Sequence, residues 1–287
     1  MTPSSPANGT PPDVLFHYTS QSGFLGILES REIWATKIQY LNDYSEFQLA
    51  LDTAQDVLQA LHGKEPDGTR RSKIECLLGS LSQITLLNVC VASFSADGDL
   101  LSQWRAYAPE GGGCAIGFNS AALIARARDH KFTLMKCVYE QAQHEILIKN
   151  LVDGWLAKDF NMEPGYVDPA RPYTIVALRT GGDDFVRDLA KLAPIIKNSA
   201  FREENEWRLV STGGINADKL SFRPGRSMIA PYFPLPLGDD RSSYLKTVTV
   251  GPAPHPQLAQ SSVQMVLARW KVSSVNTKIS KVPHRIW

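Results

Sequence analysis

The sequence lacks the features that would assign it to several large protein classes. It holds four cysteines, Cys76, Cys90, Cys114 and Cys137, and none forms a C-x-x-C pair. Zinc-ribbon and dithiol redox spacing is therefore absent. No stretch approaches the ~18 apolar residues that a membrane-spanning helix needs. Charge of one sign is not in excess either, because 30 Lys+Arg stand against 29 Asp+Glu for a net +1 at pH 7. That balance argues against a long electrostatic track along nucleic acid and leaves room only for a local patch. There is no G-x-x-x-x-G-K-[ST] phosphate loop and no G-x-S-x-G elbow. "GGGCAIG" has the wrong glycine spacing for a dinucleotide fingerprint and leads into a strand. "HEILI", from His144, lacks the second histidine of a zinc protease.

What is present fits an ordinary folded chain. Its 287 residues are 43% hydrophobic and 21% charged, ample for a core without disulfide or metal. Cys90 and Cys114 lie in apolar runs and read as buried reduced thiols, as in a cytoplasmic protein. "MTPSSPANGTPPD" has four prolines and no apolar h-region, so residues 1–12 are expected to be a disordered leader, not a secretory signal. Residues 13–287 then form a single α+β domain, because helices and strands alternate without a βαβ rhythm and no linker divides them.

Along the chain, "VLFHYTS" reads as a strand, followed by a helix capped at Ser20 or Ser22. "EIWATKIQYLND" reads as extended. "DYSEFQLALDTAQDVLQAL" reads as a helix with capping-box spacing at Asp43/Glu46 and Ser45/Gln48. A loop is expected over His62 to Arg71 and a helix over Ser72 to Leu87. "NVCVASFS" is a buried strand, "LLSQWRAYA" a turn or two of helix, and "GGGCAIGF" a strand. Helices are expected near Ser120–Arg128, Gln141–Phe160 and Asp183–Lys197, with His144 on an exposed face. The last third is rich in strands.

Four polar clusters end apolar strands, where a cleft would form. His17-Tyr18-Thr19 closes the first strand, and a histidine between aromatics can equally be a core residue. Ser93-Phe94-Ser95 ends "NVCVA", with two hydroxyls on one face that need partners from a cleft or from a cap. Gln103-Trp104-Arg105 with Tyr107 offers a flat aromatic wall with polar handles, or ordinary packing. The fourth is "FREENEWRLV". If it is extended, Glu204, Glu206 and Arg208 share one face. The acids then form either a wet edge strand or a carboxylate pair facing a cleft, with Arg208 as compensator.

"LFHYTSQSGFLGILESREIWATKIQYLNDYSEF", "SFSADGDLLSQWRAYAPEGGGCAIGF", "KNSAFREENEWRLV", "SMIAPY", "VTVGP" and "ISKVPHR" together resemble prokaryotic domain-of-unknown-function family twenty-nine seventy-one. The resemblance covers most of the chain from about Val14. His284 stands where members often carry Tyr.

A more distant resemblance is to ADP-ribosyltransferases, which place a His or Arg on the first core strand, often S-T-S on a second, and E-x-E near a third. Here the order is His17, Ser93-Phe94-Ser95 and Glu204-Asn205-Glu206, mixing two branches of that family. The resemblance implies a mixed or antiparallel split sheet with flanking helices, and NAD as a substrate with no metal. Cleavage of the nicotinamide–ribose bond builds oxocarbenium-like charge on the sugar, which a fixed carboxylate stabilises. It further implies Glu206 in that place, Glu204 orienting an acceptor, and Arg208 holding both ionised. His17 would donate to the adenosine ribose beside Thr19, and Ser93 or Ser95 would position the carboxylate. Tyr18, Trp104 or Tyr107 would stack on nicotinamide, and Lys197, Arg223 and Arg285 would meet the pyrophosphate. The acceptor would be a macromolecule or water. The other readings are a non-catalytic nucleotide- or protein-binding module and, last, a Mg²⁺-dependent nuclease on Asp43, Glu46, Glu204 and Glu206.

Overall fold

The alternation of apolar and polar residues read from the sequence becomes ten strands and nine helices in the computed structural model, which describes residues 9–41, 44–108, 112–162, 181–225 and 227–283. In chain order these are β1 (Val14–Thr19), α1 (Gln21–Ser30), β2 (Glu32–Lys37), α2 (Tyr44–His62), α3 (Gly68–Ser80), β3 (Cys90–Ser95), α4 (Leu101–Tyr107), β4 (Cys114–Asn119), α5 (Ser120–Asp129), β5 (Phe132–Lys136), α6 (Gln141–Leu156), α7 (Gly181–Leu192), β6 (Glu206–Ser211), β7 (Ser221–Pro224), β8 (Ile229–Pro236), α8 (Arg241–Tyr244), β9 (Leu245–Val250), α9 (Pro256–Arg269) and β10 (Asn276–Ile279). The fold is α+β, with one mixed, largely antiparallel sheet and flanking helices; β9 and β10 are its parallel pair.

The sheet runs β10-β9-β4-β1-β3-β2-β8-β7, with β6 and β5 added beyond β3. Its two faces bury different cores, as period 2 demands. Cys90, Ala92 and Phe94 of β3 join Leu209 and Trp207 of β6 in one cluster with α1, α5 and α9. Val91 and Val210 point the other way, into a cluster built by α2, α3, α6 and α7.

The feature that matters for function is a split at β3. One edge of β3 pairs with β6 from Val91 to Ser95. The other edge pairs with β2 only at Cys90 and Val91, and with β1 only at Ser95. Between those contacts β1 and β2 diverge and leave a notch beside Ala92, Ser93 and Phe94.

Several boundaries differ from expectation. α3 begins at Gly68, inside the expected loop, because the Asp67 carboxylate caps it through the Thr69 and Arg70 N–H groups. Residues 199–204 form a 3₁₀ helix, not the opening of a strand, and Asn205 in the left-handed region (φ 41°) turns the chain into β6. The carbonyl of Pro12, within the expected leader, accepts from the Ser120 hydroxyl. His144 is buried rather than exposed, with Nε2 2.7 Å from the Val138 carbonyl. No helix among the described residues is long and apolar enough to cross a membrane.

Candidate functional site

The notch opens into a cavity of about 470 Å³, within the range of small-molecule sites. The end of β1, the start of α1, β2 and the middle of β3 wall it. His17, Tyr18, Thr19, Ser93, Tyr107, Arg208 and Arg223, all expected in a site, line it. A second recess of about 30 Å³ shares His17, Tyr18, Ser93 and Tyr107 with it and adds Ser95, Glu204 and Glu206. That volume holds a water or two, not a sugar ring.

His17 bridges the split. Its Nδ1 lies 3.0 Å from the Ser93 carbonyl oxygen. A carbonyl only accepts, so Nδ1 carries the proton and Nε2 keeps its lone pair. Burial lowers the ring's pKa, and the bond to Ser93 offsets this in part, so the imidazole is neutral at pH 7. Ser93 Oγ makes no hydrogen bond among the described residues and borders both spaces.

The acids are held very differently. Glu206 is only 5% exposed. Arg208 donates through Nε to Oε1 at 2.7 Å and through Nη2 to Oε2 at 3.0 Å. Lys197 Nζ donates to the same Oε2 at 2.7 Å and also reaches Glu204 at 2.8 Å. Burial pushes the Glu206 carboxyl up, but the two cations outweigh it and hold its pKa at about 2. Lys197, expected at a pyrophosphate, is instead 1% exposed and shared by two carboxylates, because an ammonium out of water needs counter-charge. Arg208 is a second compensator and also donates to the Pro194 carbonyl at 2.6 Å. The wet-edge reading of this stretch does not hold, since β6 lies between β3 and β5 and is buried along its length.

Other expected residues are dispersed by layers. Trp104 is buried behind the cavity wall, packed edge-on against Tyr18 at 4.7 Å and donating to Asp99 at 2.8 Å, so it presents no face to a ligand. The Tyr18 hydroxyl is engaged, donating to the Asp97 carbonyl and accepting from the Leu100 N–H. Ser95 Oγ donates to the Glu204 carbonyl and accepts from Asp97 N–H, fastening the 3₁₀ helix to β3 rather than positioning a carboxylate side chain. Tyr107 is 40% exposed at the rim. Arg285 lies outside the described residues, as do Asp43 and the side chain of Glu46. No group of three or more metal-ligating side chains occurs among the described residues.

Two residues were missed. Trp34 on β2 is 46% exposed, lines the cavity, and stacks on Tyr232 of β8 with ring centres 4.5 Å apart. Arg223 lies over Trp34 at 6.0 Å and donates to Thr36 at 3.2 Å, leaving a buried Nε with no partner among the described residues. The signal in the sequence was a lone Trp at an inter-strand position, visible only once β2 and β8 are paired. Tyr139, whose phenol oxygen accepts from the Glu206 N–H at 2.8 Å, gave no local signal at all.

Residues 103–209 match the model of a family described as a protein of unknown function, DUF2971. Over that stretch the chain is similar to the family. The DUF2971 stretch carries Lys197, Glu204, Glu206 and Arg208, whereas His17 and Ser93 come from strands that precede it. No curated protein and no solved structure matches the chain.

Proposed function

We propose that the notch binds NAD and that the protein is an NAD-consuming enzyme of the ADP-ribosyltransferase type, cleaving the nicotinamide–ribose bond and passing ADP-ribose to a macromolecule or to water. The observation that carries this reading is the convergence of His17, Ser93 and Glu206 from three neighbouring strands at one split in the sheet. Trp34 and Arg223 at the β2 wall suit a planar base and a phosphate. His17 and Ser93 at the β1 end suit the nicotinamide ribose, with the carboxylates behind them in the small recess, where their charge acts through space. The leaving nicotinamide departs neutral, so no acid is required, and a carboxylate that stays ionised at any working pH is the useful group.

The test is mass-spectrometric detection of nicotinamide after incubation of the purified chain with NAD and cell lysate. Glu206→Gln is expected to lose on the order of 10² to 10³-fold in release, with circular dichroism confirming that the variant is folded. Gly26→Phe is the second variant, because Gly26 lines the cavity and a Cβ there meets nothing within 4 Å. Its release is expected to fall without any change in the carboxylate cluster. Silence from the wild type, with NAD binding absent by calorimetry, would sink the reading.

One observation favours a non-catalytic nucleotide-binding module. Both Glu206 oxygens are already taken by cations, so the cluster serves equally as a static pin. That reading expects saturable NAD or nucleotide binding with no nicotinamide released.

A further inference from the structure

Resting on the NAD reading, we infer that His17 Nε2 is the base that deprotonates the attacking group, which makes the acceptor an O–H nucleophile. Transfer to an O–H group needs a proton removed as the oxygen closes on C1′ of the ribose. The groups around the cleft in a position to take it are few, and most are occupied. Glu206 is locked by Arg208 and Lys197, and Glu204 is paired with the same Lys197. The Tyr18 hydroxyl is bonded on both sides. Arg208 and Arg223 are cations, and Tyr107 is a phenol at the rim. Glu32 lies on β2, across the cavity from β1.

His17 is built for the role. The Ser93 carbonyl fixes its tautomer and aims the ring, much as a triad carboxylate orients its histidine. Nε2 makes no hydrogen bond among the described residues, and the half-buried ring lines the cavity, so this nitrogen is open to that space. Ser93 Oγ beside it offers a hydrogen bond to the incoming group.

The step balances. The acceptor oxygen forms a bond to C1′, the C1′–N bond breaks, and its electron pair leaves with neutral nicotinamide. The acceptor proton passes to Nε2 and then to solvent. Water as acceptor gives free ADP-ribose; a macromolecular hydroxyl gives an O-linked adduct. A carboxylate acceptor has no proton to lose, and a guanidinium holds its protons too tightly for a neutral imidazole to take one.

The experiment compares wild type, His17→Gln and Glu32→Gln with NAD and lysate between pH 5 and 9, with and without azide. Gln can still donate to the Ser93 carbonyl but cannot take a proton. His17→Gln is expected to bind NAD nearly as wild type by calorimetry and to lose on the order of 10² to 10⁴-fold in release. Its pH profile should lose the limb that rises towards neutrality, a change that loss of packing alone would not produce. Azide, which attacks without deprotonation, should restore release and give ADP-ribosyl azide, and Glu32→Gln should keep the limb that rises towards neutrality. Retained release in His17→Gln, failure of azide to rescue a variant that binds NAD, loss of that limb in Glu32→Gln instead, or an adduct mapped to a carboxylate or guanidinium would each overturn the proposal while leaving NAD cleavage by the wild type intact. A wild type that releases no nicotinamide removes both readings together.

Discussion

His17 and Glu206 flank the same end of β3, one delivered by β1 and the other by β6, and the fold treats them in opposite ways. Glu206 receives three hydrogen bonds from two cations and stays ionised down to a pKa of about 2. His17 receives one anchor, from a neutral carbonyl, and keeps a lone pair open to the cavity. The contrast separates two jobs that a cleft can ask of ionisable residues. A charge with both oxygens held by cations can hold structure and shape the local field, but it exchanges no proton at working pH. A neutral ring pinned at one nitrogen can.

The harshest way to break this comparison is Glu206→Gln. It takes from the buried Lys197 and Arg208 the carboxylate they share, and removing one partner of a buried ion pair costs about 3–5 kcal/mol. Urea melts should show that loss. A loss under ~1 kcal/mol would mean that the cluster is far more hydrated than its geometry implies.

Acid separates the two residues next, with the same sign but different windows. Glu206 is depressed from 4.5 to about 2 in the folded state. The unfolded chain therefore takes up the proton first, and the stability this carboxylate supplies is whole above about pH 4.5 and lost as pH falls towards 2. His17 is also depressed, from 6.5, so its neutral form supports folding above 6.5 and that support fades as pH drops below it. Melting temperatures from pH 8 to 3 should decline in two stages. His17→Gln should flatten the upper stage and Glu206→Gln the lower.

Much of this arrangement was legible in the sequence, and what was not has a common cause. The strands "VLFHYT" and "CVASFS" declare themselves by apolar alternation, and their polar tips pointed to a cleft that the structure does contain. Local rules failed where a distant partner decides. Lys197 looks like a surface cation until residues 204 and 206 fold back onto it. His144 looks exposed until the Val138 carbonyl takes its ring nitrogen. The acids of "FREENE" read as strand because nothing nearby shows that Asn198 caps a 3₁₀ turn through the Ala200 N–H or that Asn205 ends it. Trp34 becomes a platform only through the pairing of β2 with β8.

Gly26→Phe tests the open side of the comparison without touching the closed one. The residue lies in α1, lines the cavity, and has free space where its Cβ would be. Replacing an interior helical glycine also favours the helix by up to about 1 kcal/mol. The melting temperature should hold or rise slightly while NAD affinity by calorimetry falls at least ~10-fold, about 1.4 kcal/mol. Unchanged affinity would move the ligand out of this cavity.

Glu204→Gln is the smallest and most discriminating change. Gln keeps an oxygen for Lys197 and preserves the backbone carbonyl that Ser95 holds, so only the charge is removed. Lys197 retains Glu206 at 2.7 Å, and Glu204 is the more exposed of the two carboxylates, with 15% of its side chain open against 7% for Glu206. The expected cost is about 1 kcal/mol, the upper end for a partly screened pair. In the double variant with Glu206→Gln, however, Lys197 and Arg208 lose both of these carboxylates, and the loss should exceed the sum of the two single losses. That excess would show that one ammonium couples the two acids. Simple additivity would mean that Glu204 is held independently, leaving it available to orient an acceptor.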